Sequence, residues 1–294
     1  MSLLMMGPHH AACGAAAWVL IAADGALPLG PLAGVGLPGP GGEALLTLPA
    51  AIPLGFGLLP GITDAGVLAG AVITAGAALL PDADHRSASI AHSLPPVSEW
   101  LCVVLGRAAG GHRNGTHSLL GLAAFTLVAW LLSRLTLTTE THVLQLGAGV
   151  GTVLLSTFAV KALRFMPDGA RRVPWVVGLL CGAWVALGLG TDNDWFVLAV
   201  ALGVAAHIAG DMLTDGGCNP VWPFRLRRPR QLARVPLLRC LWSAGGRMKV
   251  PVLGSTGSVR EWLVATVVSA VALGGMIGAI AGIAGQGAQV LGLW

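Results

Sequence analysis

Charge is scarce in this chain. Asp, Glu, Lys and Arg make up 10% of its 294 residues, where a soluble domain carries roughly 25%, and the mean hydropathy is +0.78. That excludes an ordinary water-soluble globule and makes the bilayer the expected solvent. Cysteine is sparse as well. The five thiols, Cys13, Cys102, Cys181, Cys218 and Cys240, form no CxxC pair, and their odd number and apolar neighbours predict free buried thiols rather than a disulfide framework. No basic region precedes the first apolar stretch, so a cleaved signal peptide is not expected. There is no GxSxG elbow, no Walker A loop and no Cys set beside a His for catalysis, which disfavours serine, P-loop and thiol chemistry. The net charge of +4 is too small to argue for nucleic acid, and no nucleic-acid-binding motif accompanies it. No polar block or internal repeat divides the sequence, so 1–294 reads as a single domain.

Apolar stretches are what the sequence has in quantity. Seven are long enough for helices in or near a membrane, at about 10–27, 61–80, 117–135, 142–160, 173–190, 195–213 and 261–285. The expected fold class is all-α, a polytopic integral membrane bundle of six to seven helices. The first stretch carries Asp24 and is expected to span only partly. The Gly/Pro-rich segment 28–58 reads as a loop or insertion, and whether it enters the membrane is left open. If the seven helices alternate, one side receives the N-terminus, 81–116, 161–172 and 214–260. Of the 17 Lys and Arg residues, Arg134 alone falls on the other side, so the crowded side is expected to face the cytoplasm. The Arg-rich segment 222–249, with Trp222, Phe224 and Trp242, reads either as an ordinary cytoplasmic loop or as one lying on anionic headgroups.

Four motifs place ligand-competent side chains at ends of apolar helices, where burial demands a partner. They are His9-His10, Pro81-Asp82-Ala83-Asp84-His85, His112-Arg113-Asn114-Gly115-Thr116-His117-Ser118, and His207-Ile208-Ala209-Gly210-Asp211. Helix alternation brings all four to the crowded side. His207 and Asp211, four residues apart, share one helical face and can reach one ion; singly, each motif could equally be a hydrogen-bonded structural feature. Mixed imidazole and carboxylate ligands suit zinc first, then manganese or iron, and their number allows one ion or two. Asp84 or Asp215 is expected either to orient a ligating histidine or to act as general base. Arg113 faces a phosphate or carboxylate in this reading, and Ser118 caps the helix that follows it.

The runs PDADH, GHRNGTHSLL and AHIAGDMLTDGGCNPVWPF together resemble the bacterial membrane-bound, metal-dependent hydrolases of the YdjM type, from His10 to about Phe224. The resemblance implies a metal-site set of His10, Asp82, Asp84, His85, His112, His117, His207 and Asp211. It also implies that Thr214, Gly217, Trp222 and Pro223 shape the site. This sequence has HRNGTHS where the family more often has Gly directly after Arg, so the turn there is shifted or replaced, and the neighbouring His9 leaves the N-terminal ligand ambiguous. The resulting expectation is a metal-activated water attacking an ester or phosphoester of a lipid or other membrane-associated substrate, with Arg113 and Arg86 steadying a phosphate. The alternative is a metal-binding membrane protein without hydrolytic activity, either a transporter or a regulatory module.

Overall fold

A computed structural model describes residues 7–28, 30–38, 40, 43–88, 90–163, 172–188 and 194–290. The expected helical stretches all appear: α1 (Gly7–Ala22), α2 (Asp64–Ala77), α4 (Leu119–Ser133), α5 (Leu146–Leu163), α6 (Val173–Ala186), α7 (Asp194–Met212) and α9 (Val259–Val290). Two further helices, α3 (Val97–Ala108) and α8 (Pro236–Leu241), lie in connecting segments. Four of the elements, Asp64–Asp84, Leu146–Leu163, Trp195–Met212 and Val259–Val290, are long and apolar enough to cross a bilayer, and the helices at Leu119–Ser133 and Val173–Ala186 are shorter apolar ones.

The order of packing follows residue size. α1 is mostly Ala and Gly and sits centrally, touching α2, α5, α7 and α9. Trp18 of α1 is fully buried and donates its indole N–H to the Gly66 carbonyl of α2 at 3.3 Å. Small residues let backbones come close, the usual basis of helix association where lipid removes the hydrophobic drive. Two glycines show it. A Cβ on Gly14 of α1 would stand 2.5 Å from the Thr74 carbonyl oxygen of α2, and a Cβ on Gly203 of α7 would stand 2.5 Å from the same oxygen. α2 is therefore gripped at one turn from both sides.

The outer faces of α4, α6 and α9 expose Leu127, Leu179, Leu180, Val267 and Ile277, a surface suited to lipid rather than water. The segment 28–58 holds exposed residues and two short antiparallel pairs, β1 (Ala26–Pro28) with β4 (Ala51–Pro53) and β2 (Gly36–Pro38) with β3 (Ala44–Thr47). Its end returns to α1, where the N–H groups of Phe56, Leu58 and Gly57 donate to the carbonyls of Leu20, Ile21 and Ala23. Those acceptors would otherwise be left over at the helix end. A third pair, β5 (Leu137–Thr138) and β6 (Val143–Leu144), joins α4 to α5.

α3 is the element the sequence reading missed, because Gly110 and Gly111 end it early and it is too short for a span. Val97, Trp100, Leu101, Val104 and Leu105 recur at helical spacing and are all exposed, while Cys102 on the opposite side is buried. Such a one-sided helix fits the membrane interface. Its Gly106 packs so closely on the Asp84 carbonyl that a Cβ there would lie 2.5 Å away. All five cysteines are free, with Cys102 and Cys218 buried and Cys240 exposed.

Candidate metal centre

Four chain segments end at the same place. α1 begins there with His9 and His10, and α2 ends there in a 3-10 turn, Pro81–Asp84. The loop after α3 enters through a second 3-10 turn, Gly115–His117, and α7 finishes there with His207 and Asp211. His10 lies four residues before Gly14, and His207 four residues after Gly203. On each helix the residue pressed against Thr74 and the imidazole therefore share a face, and both rings are delivered to the end of α2. They stack at 3.7 Å between centroids.

Hydrogen bonds fix how the imidazoles point. The Ala78 carbonyl, one of the free acceptors at the end of α2, lies 2.6 Å from His207 Nδ1; a carbonyl only accepts, so Nδ1 carries the proton and Nε2 a lone pair. His112 Nδ1 lies 2.6 Å from Asp84 Oδ1 and donates to it, which turns its Nε2 away from Asp84. Thr116 donates its hydroxyl to Asp84 Oδ2 at 2.6 Å. The Thr116 oxygen in turn accepts from His117 Nδ1 at 3.0 Å. All three imidazoles are thus anchored through Nδ1, and two of them through Asp84, the arrangement that normally orients metal-bound histidines.

The Nε2 atoms converge. His117 and His207 approach to 3.1 Å through Nε2. Asp211 Oδ2 lies 3.4 Å from the first and 3.8 Å from the second. Asp82 Oδ1 is 3.7 Å from each. Ligand atoms about 2.1 Å from a tetrahedral ion stand roughly 3.4 Å from one another, so the carboxylate spacings of 3.4 to 3.8 Å suit groups sharing an ion, while the 3.1 Å between the two Nε2 atoms is a hydrogen bond that an entering ion would replace. Three sets each gather within 4.8 Å: His10 with Asp82 and His207, Asp82 with His112 and His117, and His117 with His207 and Asp211. Because they overlap through Asp82, His117 and His207, the cluster has room for one ion or two. His112 Nε2 and Asp211 Oδ2 are buried with no hydrogen-bond partner, a costly arrangement for polar atoms unless something binds them. The residues fit a divalent cation.

His117 carries the electrostatics of the cluster. Burial works against its charged form, but its contacts with Asp82 and Asp84 and the nearby Asp211 outweigh burial and raise its pKa to about 9. In the metal-free protein it therefore holds a proton below that pH, and an entering cation must displace it. The expected result is that apparent zinc affinity falls on acidification, by up to about tenfold per pH unit for this one proton. Competition with a chromogenic chelator over about pH 6 to 8 measures the slope.

Several expected site residues take other positions. His85 is half-buried outside the three sets; the N–H and hydroxyl of Ser87 lie 3.3 and 2.7 Å from its Nδ1, and its ring meets that of His112 edge-on at 5.2 Å. Asp84 binds His112 and Thr116, so it orients ligands and is not free to act as a base. Asp215 is exposed; its backbone N–H donates to the Gly254 carbonyl and its own carbonyl accepts from Lys249. Arg113 is buried inside the protein rather than facing a substrate. It donates to Asp211 Oδ1 at 2.9 Å, to Thr214 Oγ1 at 3.3 Å and to the Gly217 carbonyl at 3.3 Å.

Where the family more often has Gly directly after Arg, Asn114 takes φ −116° and ψ −106°, and among the described residues Arg113 before it is the non-glycine one with positive φ, at 65°. The tail of the last motif wraps this loop: Asn219 N–H donates to the Arg113 carbonyl, and Leu119 N–H to the Pro220 carbonyl. Ser118 caps α4 as expected, accepting from Gly121 N–H at 3.1 Å. The ambiguity between His9 and His10 is resolved by direction. His10 Nε2 sits 3.6 Å from Asp211, whereas His9 turns to Glu261 of α9 at 2.5 Å. Sequence reasoning missed Thr116 as a link between Asp84 and His117. It also missed Glu261, whose only signal was a lone acid at the head of an apolar helix.

A family model described as YdjM inner membrane protein matches residues 5–284. No curated protein and no solved structure matches the chain.

Proposed function

The chain belongs to the YdjM inner membrane protein family, and from that premise we propose that it is a metal-dependent hydrolase. Its site faces the cytoplasm, and its substrate is an ester or phosphoester of a lipid or another membrane-associated molecule. The observation that carries this reading is the gathering of three Nδ1-anchored imidazoles, with His10, Asp82 and Asp211, into three overlapping ion-sized sets. A divalent ion bound there would lower the pKa of a water and polarise the scissile group.

The chain's own residues supply the rest. Asp84, through His112 and directly beside Thr116, holds the imidazoles in the orientation that turns Nε2 inward. Arg113 occupies Asp211 Oδ1 and leaves Oδ2 to the cluster. His85 accepts from Ser87 at Nδ1, so its Nε2 carries a proton, and its half-exposed ring beside His112 suits donation to a departing oxygen. Arg86, exposed at the next position, is the cation nearest in sequence for an anionic group. The outward apolar stripe of α3, a helix whose Gly106 packs on the Asp84 carbonyl, supports a cluster near headgroup depth, which favours a lipid over a freely soluble substrate. The Lys/Arg imbalance supports the cytoplasmic side.

Purified protein loaded with zinc or manganese is expected to release product from at least one member of a phospholipid and phosphoester panel. His85→Gln should cut that turnover on the order of a hundredfold while bound metal stays unchanged. Confirmed bound metal with no release from any substrate would remove hydrolysis from the reading; metal uptake into proteoliposomes would replace it with transport.

A further inference from the structure

α5 and α9 both pack on α1 and α2 but not closely on each other, and the gap between them is a cleft of about 920 Å³. Trp262, Ala265, Ser269 and Leu273 form its α9 wall at helical spacing, and Leu163 lies on the α5 side. A further cavity of about 290 Å³ shares Leu163, Ser269 and Leu273 with the first and runs on to Met276 and Val72. The two adjoin through these shared residues and together outline a slot along α9. From Trp262 to Met276 the helix advances about 21 Å, compared with roughly 15 Å for half of a bilayer's hydrocarbon core. The slot is therefore as deep as one lipid leaflet with part of its headgroup region. Trp262 and Leu273, both more than half exposed, place its mouth on the outer face of the bundle, where lipid is the neighbour.

One end is polar. His9 lines the cleft at the start of α1, buried and bound through Nδ1 to Glu261, which is itself fully buried and accepts the Gly257 N–H at 2.7 Å. His9 Nε2 is buried with no hydrogen-bond partner. The ring also meets Trp262 edge-on at 4.7 Å, so an apolar slot of leaflet depth ends at a fixed imidazole whose Nε2 has no hydrogen-bond partner, which matches an amphiphile with a chain and a polar head.

We propose that this slot binds one acyl chain of a bilayer phospholipid entering sideways between α5 and α9, with its head hydrogen-bonded to His9 Nε2. The inference concerns binding and stands apart from the hydrolysis proposed above. The test uses the full-length protein in phosphatidylethanolamine and phosphatidylglycerol vesicles, with a trace of phosphatidylglycerol carrying a photoactivatable acyl chain and the labelled residues mapped by mass spectrometry. Labelling of Ser269, Leu273 and Leu163 is expected to exceed that of Leu263, Val267 and Ile277, on the lipid-facing side of α9, by about tenfold, an excess of roughly 1.4 kcal/mol. Ser269→Trp fills the slot and should abolish the excess with metal content unchanged; Ser269→Leu, a milder filling, should reduce it. Equal labelling of both faces of α9 in the wild type, or an excess that survives Ser269→Trp in folded protein, overturns the proposal. His207→Ala should keep the labelling pattern, so loss of hydrolysis and loss of lipid binding are separable.

Discussion

Purified His207→Ala and His117→Ala proteins are each expected to lose most of the metal that the wild type carries, and the double variant essentially all of it, as read by elemental analysis. Each side chain belongs to two of the three ion-sized sets and the pair to all three, so either single loss leaves one set and the double loss leaves none. The expected fall in zinc affinity exceeds that of Asp84→Asn, which removes no ligand. In that variant one of the two oxygens that accept from His112 and Thr116 becomes an amide NH2, which donates, so the pair that orients His112 and His117 can no longer both be held, and affinity should drop by roughly 10- to 100-fold, the usual effect of an outer partner. Stoichiometric metal in the wild type, absent from the double alanine variant and weakened in Asp84→Asn, separates a ligand site from a hydrogen-bonded core. A wild type without stoichiometric metal would mean that the histidines are structural.

Gly203→Val should cost the protein its metal although it touches no ligand. The added side chain meets the Thr74 carbonyl at a distance real Cβ atoms do not tolerate. The contact is backbone, so α7 itself must move away from α2. Overpacking of this kind costs about 1–3 kcal/mol, and the displacement carries His207 and Asp211 away from Asp82. Lower thermal stability in detergent together with reduced zinc content is the expected pair of results. Gly285→Val, where a Cβ meets nothing within 4 Å, is the matched control and should change neither. Normal zinc content in Gly203→Val would show that the cluster tolerates helix displacement.

The apolar helices and the gathering of histidines and aspartates were legible because each leaves a local record. Long apolar runs announce the spans, and the parity of those runs brought His10, Asp82, His117 and His207 to one end without any knowledge of packing. What the sequence did not disclose was direction. Arg113 reads as a cation facing a phosphate or carboxylate, and it does meet a carboxylate, but that of Asp211 inside the protein, and no residue type signals that inward turn. His85 sits in the same run as Asp82 and Asp84, but the 3-10 turn ends at Asp84 and His85 adopts extended backbone, so it faces Ser87. The anchor of His207 is a main-chain carbonyl, which every residue possesses and no motif can mark. α3 escaped because its apolar stripe is short and faces outward, so its spacing resembles neither a span nor a core helix.

The shared grip on Thr74 also sets a phase requirement. On both α1 and α7 only four residues separate the contact glycine from the ligating imidazole, little more than one helical turn. An insertion or deletion of one residue within either interval would swing the imidazole by about 100° around its helix axis, out of the cluster altogether. Those two intervals must therefore keep their length as this chain diverges, while 28–58 and 222–249 can lengthen or shrink. The dimensions of the centre are held by backbone contacts within the bundle, upstream of any choice of ligand.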